Sequence, residues 1–150
     1  MLYACDEEWW AKYYAEVREV FRGELWTQST TAERYYGVRR IPGANNPGLS
    51  RDPELIHTGG NSGYQALNLV YHFGASRIFL LGYDMQRTGG KSHWHGDHPG
   101  SMHKASPYTH WVRNFEALAL DLKREGVEVI NCSDQTALTC FPRARLEDVL

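Results

Sequence analysis

The stretch His57-Thr58-Gly59-Gly60-Asn61-Ser62-Gly63 runs straight into Ala66, Leu69, Val70 and Phe73, and then past Gly74 into Arg77-Ile78-Phe79-Leu80-Leu81. The i, i+3, i+4, i+7 spacing predicts a helix with one buried stripe, closed by Gly74. The near-continuous apolar run that follows has strand length, as expected when both sheet faces are covered. It ends at Gly82-Tyr83-Asp84. A glycine-rich turn, a helix and an apolar strand in that order are the working half of a parallel βαβ unit.

Toward the N-terminus, residues 2–5 read as a short strand entering a helix capped by Asp6, with Glu7 and Glu8 at the positive end of its dipole. Trp10, Tyr13, Tyr14, Val17 and Phe21 give that helix one apolar face, and Gly23 is expected to stop it. Residues 24–28 suit a second strand. From 29 to 53 the pattern dissolves into turn formers, among them Pro42-Gly43, Asn45-Asn46-Pro47-Gly48 and Asp52-Pro53, with room for a short strand at 38–41. Toward the C-terminus a second polar loop covers 85–107. Trp111, Phe115, Leu118, Ala119 and Leu122 then mark a third helix, ended by Gly126. Strands follow at 127–130 and 138–140, and a helical turn begins at Leu146.

This alternation predicts one α/β domain over 1–150, a mostly parallel open sheet with helices on both faces. Such a sheet binds ligands at the carboxyl ends of its strands, here Asp6, Asp84 and residues 131–134. The bulk figures agree: 150 residues, 42% hydrophobic and 23% charged, fit one folded core. A net charge of −2 gives no footprint for nucleic acid, and pairs such as Arg39-Arg40 and Lys123-Arg124 read as solvated faces. No apolar run approaches the roughly 20 residues of a membrane span. The first residues lack a basic n-region, so no secretion signal is expected. Cys5, Cys132 and Cys140 form no CxxC pair, and an odd count suits a reducing, cytoplasmic compartment. Aromatics, 13% of the chain, are expected in the core or at a subunit contact, which leaves a homo-oligomer open.

Three places could carry chemistry. Glycines at 59, 60 and 63 let the backbone approach a ligand closely. The first helical N–H groups are unpaired at the positive dipole end, so a phosphate or carboxylate fits beside Thr58, Asn61 and Ser62. The turn is neither a Walker A sequence nor a GxGxxG fingerprint, and a plain N-cap with loop glycines is the alternative. Asp84 could bind ribose hydroxyls, hold a metal–phosphate complex, take a proton, or merely anchor its loop. The segment Ser92-His93-Trp94-His95-Gly96-Asp97-His98, with His103 and His110 beyond, is the densest cluster. If it is extended, His93, His95 and Asp97 share a side and could bind a divalent metal. Alternatively His93, His95 or His98 serves as general base, oriented by Asp97, or steadies a phosphate leaving group. No GxSxG elbow is present, and Ser62 does not follow a convincing strand.

At these residues a family resemblance enters. Residues 57–66, with Gly74-Ala75-Ser76-Arg77-Ile78-Phe79-Leu80-Leu81-Gly82-Tyr83-Asp84, resemble a phage and prophage group of Rossmann-like proteins. That group looks like a branch of the set holding bacterial sialyltransferases, motility-accessory glycosyltransferases and archaeal hydroxymethylpterin pyrophosphokinases. Ser62-Gly63, Ala66, Gly74, Ile78, Leu80, Gly82 and Asp84 carry the shared pattern. Tyr3-Ala4-Cys5-Asp6, Trp9-Trp10 and residues 93–99 also resemble the group. The resemblance implies a Rossmann-like fold and a nucleotide or nucleotide-sugar partner facing Ser62. It implies glycosyl or pyrophosphoryl transfer. Relatives begin with a further strand before the Tyr-Ala-Cys-Asp one, so it also implies an N-terminal strand lacking here or supplied by a partner subunit. The expected function is thus a nucleotide-dependent transferase. The alternatives are a non-catalytic nucleotide-binding or interaction protein and a metal-dependent hydrolase using residues 93–98.

Overall fold

The computed structural model describes residues 1–90 and 106–150. Its elements in chain order are β1 (Leu2–Tyr3), α1 (Glu7–Val20), β2 (Leu25–Thr27), α2 (Thr30–Tyr36), β3 (Arg39–Arg40), β4 (Gly43–Ala44), β5 (Ile56–His57), α3 (Ser62–His72), β6 (Arg77–Leu80), α4 (Tyr108–Arg124) and β7 (Glu128–Asn131). A 3-10 turn spans Leu146–Asp148. The protein is a mixed α/β chain of helices and short strands, and every strand pair among the described residues is parallel.

The strands group as β1-β2-β3, β4-β5 and β6-β7. Only Ile41 and Pro42 separate β3 from β4, and both prolong a ladder. Ile41 N–H donates to Thr27 O (2.9 Å) and Pro42 O accepts from Ile56 N–H (2.9 Å). The segment therefore leaves β2 and joins β5 at a proline, which has no N–H to give a ladder. Successive β2 residues face opposite sides. Leu25 packs with Trp10, Val17, Ala32 and Val38 of the α1–α2 side, while Trp26 packs with Ile41, Ile56 and Leu69. The largest cluster joins Tyr64 and Leu67 of α3, Leu80 of β6, Phe115, Leu118 and Leu122 of α4, and Val129 of β7.

Several expectations change. Asp6 holds the N-cap position of α1 without a side-chain cap bond, and α1 ends at Val20 with Phe21 extended, before Gly23. A Cβ on Gly23 would lie 2.6 Å from Phe21 Cζ, so this glycine makes room for the ring. The expected loop 29–53 contains a helix, α2, whose N-cap Ser29 accepts from Ala32 N–H. Its remainder is strapped down: Leu49 N–H donates to Asp121 Oδ2 (3.0 Å) and Ser50 N–H to Asn68 Oδ1 (3.0 Å). The α3 stripe is rotated from the one read. Tyr64, Gln65, Leu67, Asn68 and Leu69 are buried, whereas Phe73 is exposed and Ala66 and Val70 are half-buried. Two clusters contact α3, and hydrogen bonds let Gln65 and Asn68 go inside. Leu80, the last residue of β6, is buried, but Leu81 just beyond it is 59% exposed, so the apolar run is not covered evenly. No strand forms at 138–140; the segment after β7 touches the sheet through an Asn131–Arg143 bridge instead.

Candidate functional site

The junction between β5 and α3 is built residue by residue. Thr58 N–H prolongs the β4–β5 ladder to Ala44 O (3.0 Å), and Thr58 O accepts from Asn61 N–H (3.2 Å) and Gln65 Nε2 (3.1 Å). Gly59 and Gly60 follow with φ of 52° and 70°, the left-handed region that glycine enters freely. Asn61 caps α3, its Oδ1 accepting from Gly63 N–H (2.8 Å) and Tyr64 N–H (3.2 Å). Two of the orphan donors of the helix end are thereby satisfied internally. The amides of Gly60 and Ser62, both exposed residues, have no partner among the described residues. β5 corrects the sequence reading in one respect: Ser62 does follow a strand.

The glycines divide by role. A Cβ on Gly59 would lie 2.4 Å from Tyr64 Cγ, and one on Gly63 would lie 2.8 Å from Tyr83 Cε1. Those two make room for rings. A Cβ on Gly60 would meet Trp111 Nε1 at only 3.5 Å, so Gly60 is required by its backbone and not by packing.

Three neighbouring elements frame the turn. From the end of β1, Cys5 Sγ lies 2.9 Å from Ser62 Oγ, and Tyr3 Oη donates to Gln65 Oε1 (2.6 Å). Burial pushes the Cys5 thiol up to about 11, with the nearby Asp6 charge adding to it, so Cys5 is a thiol at neutral pH. Burial also raises Tyr3, reinforced by Cys5 and Asp6. From the end of β6, Tyr83 Oη donates to Gly63 O (3.1 Å), and burial holds that phenol up at about 12. From α4, Asn114 Nδ2 donates to Gly59 O (2.8 Å) and lies 3.2 Å from His110 Nε2. An amide nitrogen only donates, so in this contact His110 Nε2 is on the accepting side.

Among the described residues Asp84 makes no hydrogen bond to the turn. Its Oδ2 accepts from Thr88 Oγ1 (3.0 Å), its carbonyl from Ala137 N–H (2.8 Å), and it reaches the turn only through its neighbour Tyr83. The next residue, Met85, has φ of 50°, a costly conformation for a side chain of its size, held by packing against the main cluster. The segment after β7 fixes this loop: Tyr83 N–H donates to Ser133 Oγ (2.8 Å) and Thr136 Oγ1 to Tyr83 O (2.6 Å). His93, His95, Asp97 and His98 lie outside the described residues. Among the described residues, no group of three or more His, Cys, Asp or Glu side chains could hold a metal ion.

Thr58, Gly59, Gly60, Asn61, Ser62 and Gly63 therefore stand at one place. Cys5, Gln65, Tyr83, His110, Trp111 and Asn114 join them from other parts of the chain. The sequence marks His110 with the histidine cluster, Trp111 as a helix-stripe residue and Cys5 and Tyr83 within strand-end segments, but nothing in it places them at this turn, and Asn114 carries no signal at all. No family model, curated protein or solved structure matches the chain. No helix among the described residues is long and apolar enough to cross a membrane.

Proposed function

We propose that the chain binds a nucleotide or nucleotide-sugar on the β5–α3 turn and transfers a glycosyl or pyrophosphoryl group. The observation that carries this reading is the pair of exposed, unpartnered amides at Gly60 and Ser62, beside the Ser62 hydroxyl, at the positive end of an 11-residue helix. The reading of the α/β fold as Rossmann-like belongs to the same proposal. It is supported by the all-parallel pairing and by apolar clusters on both sides of β2. Three free cysteines support a reducing compartment such as the cytoplasm.

In this reading the diphosphate accepts from the two amides and from Ser62. Tyr83 and Asn114 keep the turn rigid by holding the carbonyls of Gly63 and Gly59. The proton-transfer step would fall to His93, His95 or His98, and a divalent metal, if used, to Asp97 and these histidines. A non-catalytic binding protein is the second reading. It is favoured by the protonated state of Cys5, which leaves no thiolate beside Ser62.

The test is a thermal-shift screen of CMP-, UDP- and GDP-sugars and ATP, with and without manganese. Stabilisation by a nucleotide that is lost in Ser62→Ala supports the site. Turnover of the stabilising ligand separates transferase from binding protein. Manganese or zinc acting alone, with the effect lost in His95→Ala, would transfer the assignment to a hydrolase.

A further inference from the structure

Beyond β7 the sheet gains one more bridge. Asn131 N–H donates to Pro142 O (2.8 Å) and Ala144 N–H to Asn131 O (3.4 Å). Past that point the two segments part. Residues 132–134 turn toward the end of β6, where Ser133 Oγ accepts from Tyr83 N–H, while 144–147 enter the 3-10 turn. Their parting opens a cleft of about 590 Å³ lined by Cys132, Ser133, Asp134, Arg143, Arg145 and Glu147, with Ala144 and Leu146.

The chemistry of the lining is cationic at its fixed point. Arg143 Nη2 donates to Ser133 O (3.1 Å) and Asp134 O (2.9 Å), which clamps the guanidinium in place. Its Nε and Nη1 donors have no partner among the described residues. A guanidinium already held by carbonyls loses little further freedom when it binds an oxyanion. Arg145 pairs with Glu147, with side chains 74% and 64% exposed. An ion pair that open to water is worth little, so Arg145 can exchange Glu147 for another anion. Asp134, Glu147, Arg143 and Arg145 are all exposed and their charges sum to zero, so the clamped geometry of Arg143, and not net charge, is what favours an anion here.

We propose that this cleft is a small-molecule site for a compact oxyanion, a phosphate monoester or a carboxylate, with Arg143 as its fixed cation and Arg145 as its exchangeable one. The site is separate from the glycine turn and does not rest on the function assigned to that turn.

Cysteine labelling tests it on the intact protein. Cys132 lines the cleft, and Cys5 touches Ser62 of the glycine turn. Iodoacetamide labelling is followed peptide by peptide in inorganic phosphate or acetate, with chloride holding ionic strength constant. The expected result is slower labelling of Cys132 and unchanged labelling of Cys5. The anion concentration giving half-protection should rise about two- to fivefold in Arg145→Ala, whose pairs are open to water, and further in Arg143→Ala. Arg143 also ties down residues 133 and 134, so Arg145→Ala, which frees no backbone group, carries the claim if the other variant loosens the loop. Protection by phosphate alone identifies a phosphate site, and protection by both anions a general oxyanion site. Unchanged Cys132 labelling in both anions, or protection equal in both arginine variants, overturns the proposal. Protection of Cys5 but not Cys132 also overturns it, while supporting the ligand site on the turn.

Discussion

Asn61→Asp separates the capping role of the turn from its ligand role. In the native chain Asn61 Oδ1 accepts two amides, at 2.8 and 3.2 Å. Asp offers the same oxygen, and Asn and Asp are about equal as caps, while the added charge gains roughly 0.5 kcal/mol from the helix dipole. Stability should therefore hold or rise slightly. Asn61→Ala, by contrast, should cost about 1 kcal/mol, a fall of roughly 2–4 °C in Tm for a chain of this size. Ligand binding should go the other way. A carboxylate about 6 Å from a phosphate charge repels it by about 1 kcal/mol at an effective dielectric of roughly 60, and a doubly charged group by about 2. That is roughly thirtyfold in Kd. Urea denaturation gives the first quantity, and calorimetric titration with the stabilising nucleotide gives the second. The affinity loss should also shrink as salt is added. A well-folded Asn61→Asp protein that binds the nucleotide as tightly as the native one would remove the phosphate from this turn.

Other expectations follow from the same geometry. Gly59→Ala should cost about 3 kcal/mol or more, because a left-handed backbone and a Cβ 2.4 Å from the Tyr64 ring add together. Gly60→Ala, whose Cβ would make only ordinary van der Waals contact with Trp111, should cost about 1 kcal/mol; equal losses in urea melts would contradict the division of roles. Tyr64→Phe removes the bond from Tyr64 Oη to Gly48 O (2.6 Å) and should cost about 1–2 kcal/mol by the same assay. Burial raises Tyr64 and Tyr83 to about 12 and Cys140 to about 11, above the ordinary 10.0 and 9.0. The folded chain holds these protons more tightly than the unfolded one. Their contribution is thus complete below about pH 9 and is lost as pH rises toward 12. Denaturation midpoints should fall across that window, and flat midpoints would contradict the buried placement of these groups.

What the sequence yielded follows the strength of local signals. α4 was legible because Phe115, Leu118 and Leu122 repeat on one face and all three are fully buried. Gly74 and Gly126 end α3 and α4 where they were read to do so. α2 was hidden because only seven residues separate Ser29 from Gly37, too few for a period to emerge from surrounding turn formers. The α3 stripe was misread because Gln65 and Asn68 count as polar in any periodicity. Their burial depends on partners far along the chain, Tyr3 for one and Ser50 for the other. The same physics limits the site. The turn is contiguous and could be seen, whereas Cys5, Tyr83 and Asn114 reach it from three other elements, and only the fold brings them together.

That convergence changes what a glycine-rich turn can be taken to mean. Three glycines in five residues suggest a loop kept bare for a ligand, yet two of them are filled from within, by the rings of Tyr64 and Tyr83. Asn61 takes two more amides for the helix cap. Of residues 57–63, Gly60 and Ser62 alone join an exposed position to an unpartnered amide, and Ser62 adds a hydroxyl beside it, itself shared with Cys5. A ligand here is therefore held by a narrow set of donors on a rigid frame. Substitutions at Gly59 or Gly63 should lower affinity only as far as they disturb folding, whereas Ser62→Ala should lower affinity at unchanged stability. A Ser62→Ala protein that loses stability and affinity in proportion would mean that the turn is a cap and nothing more.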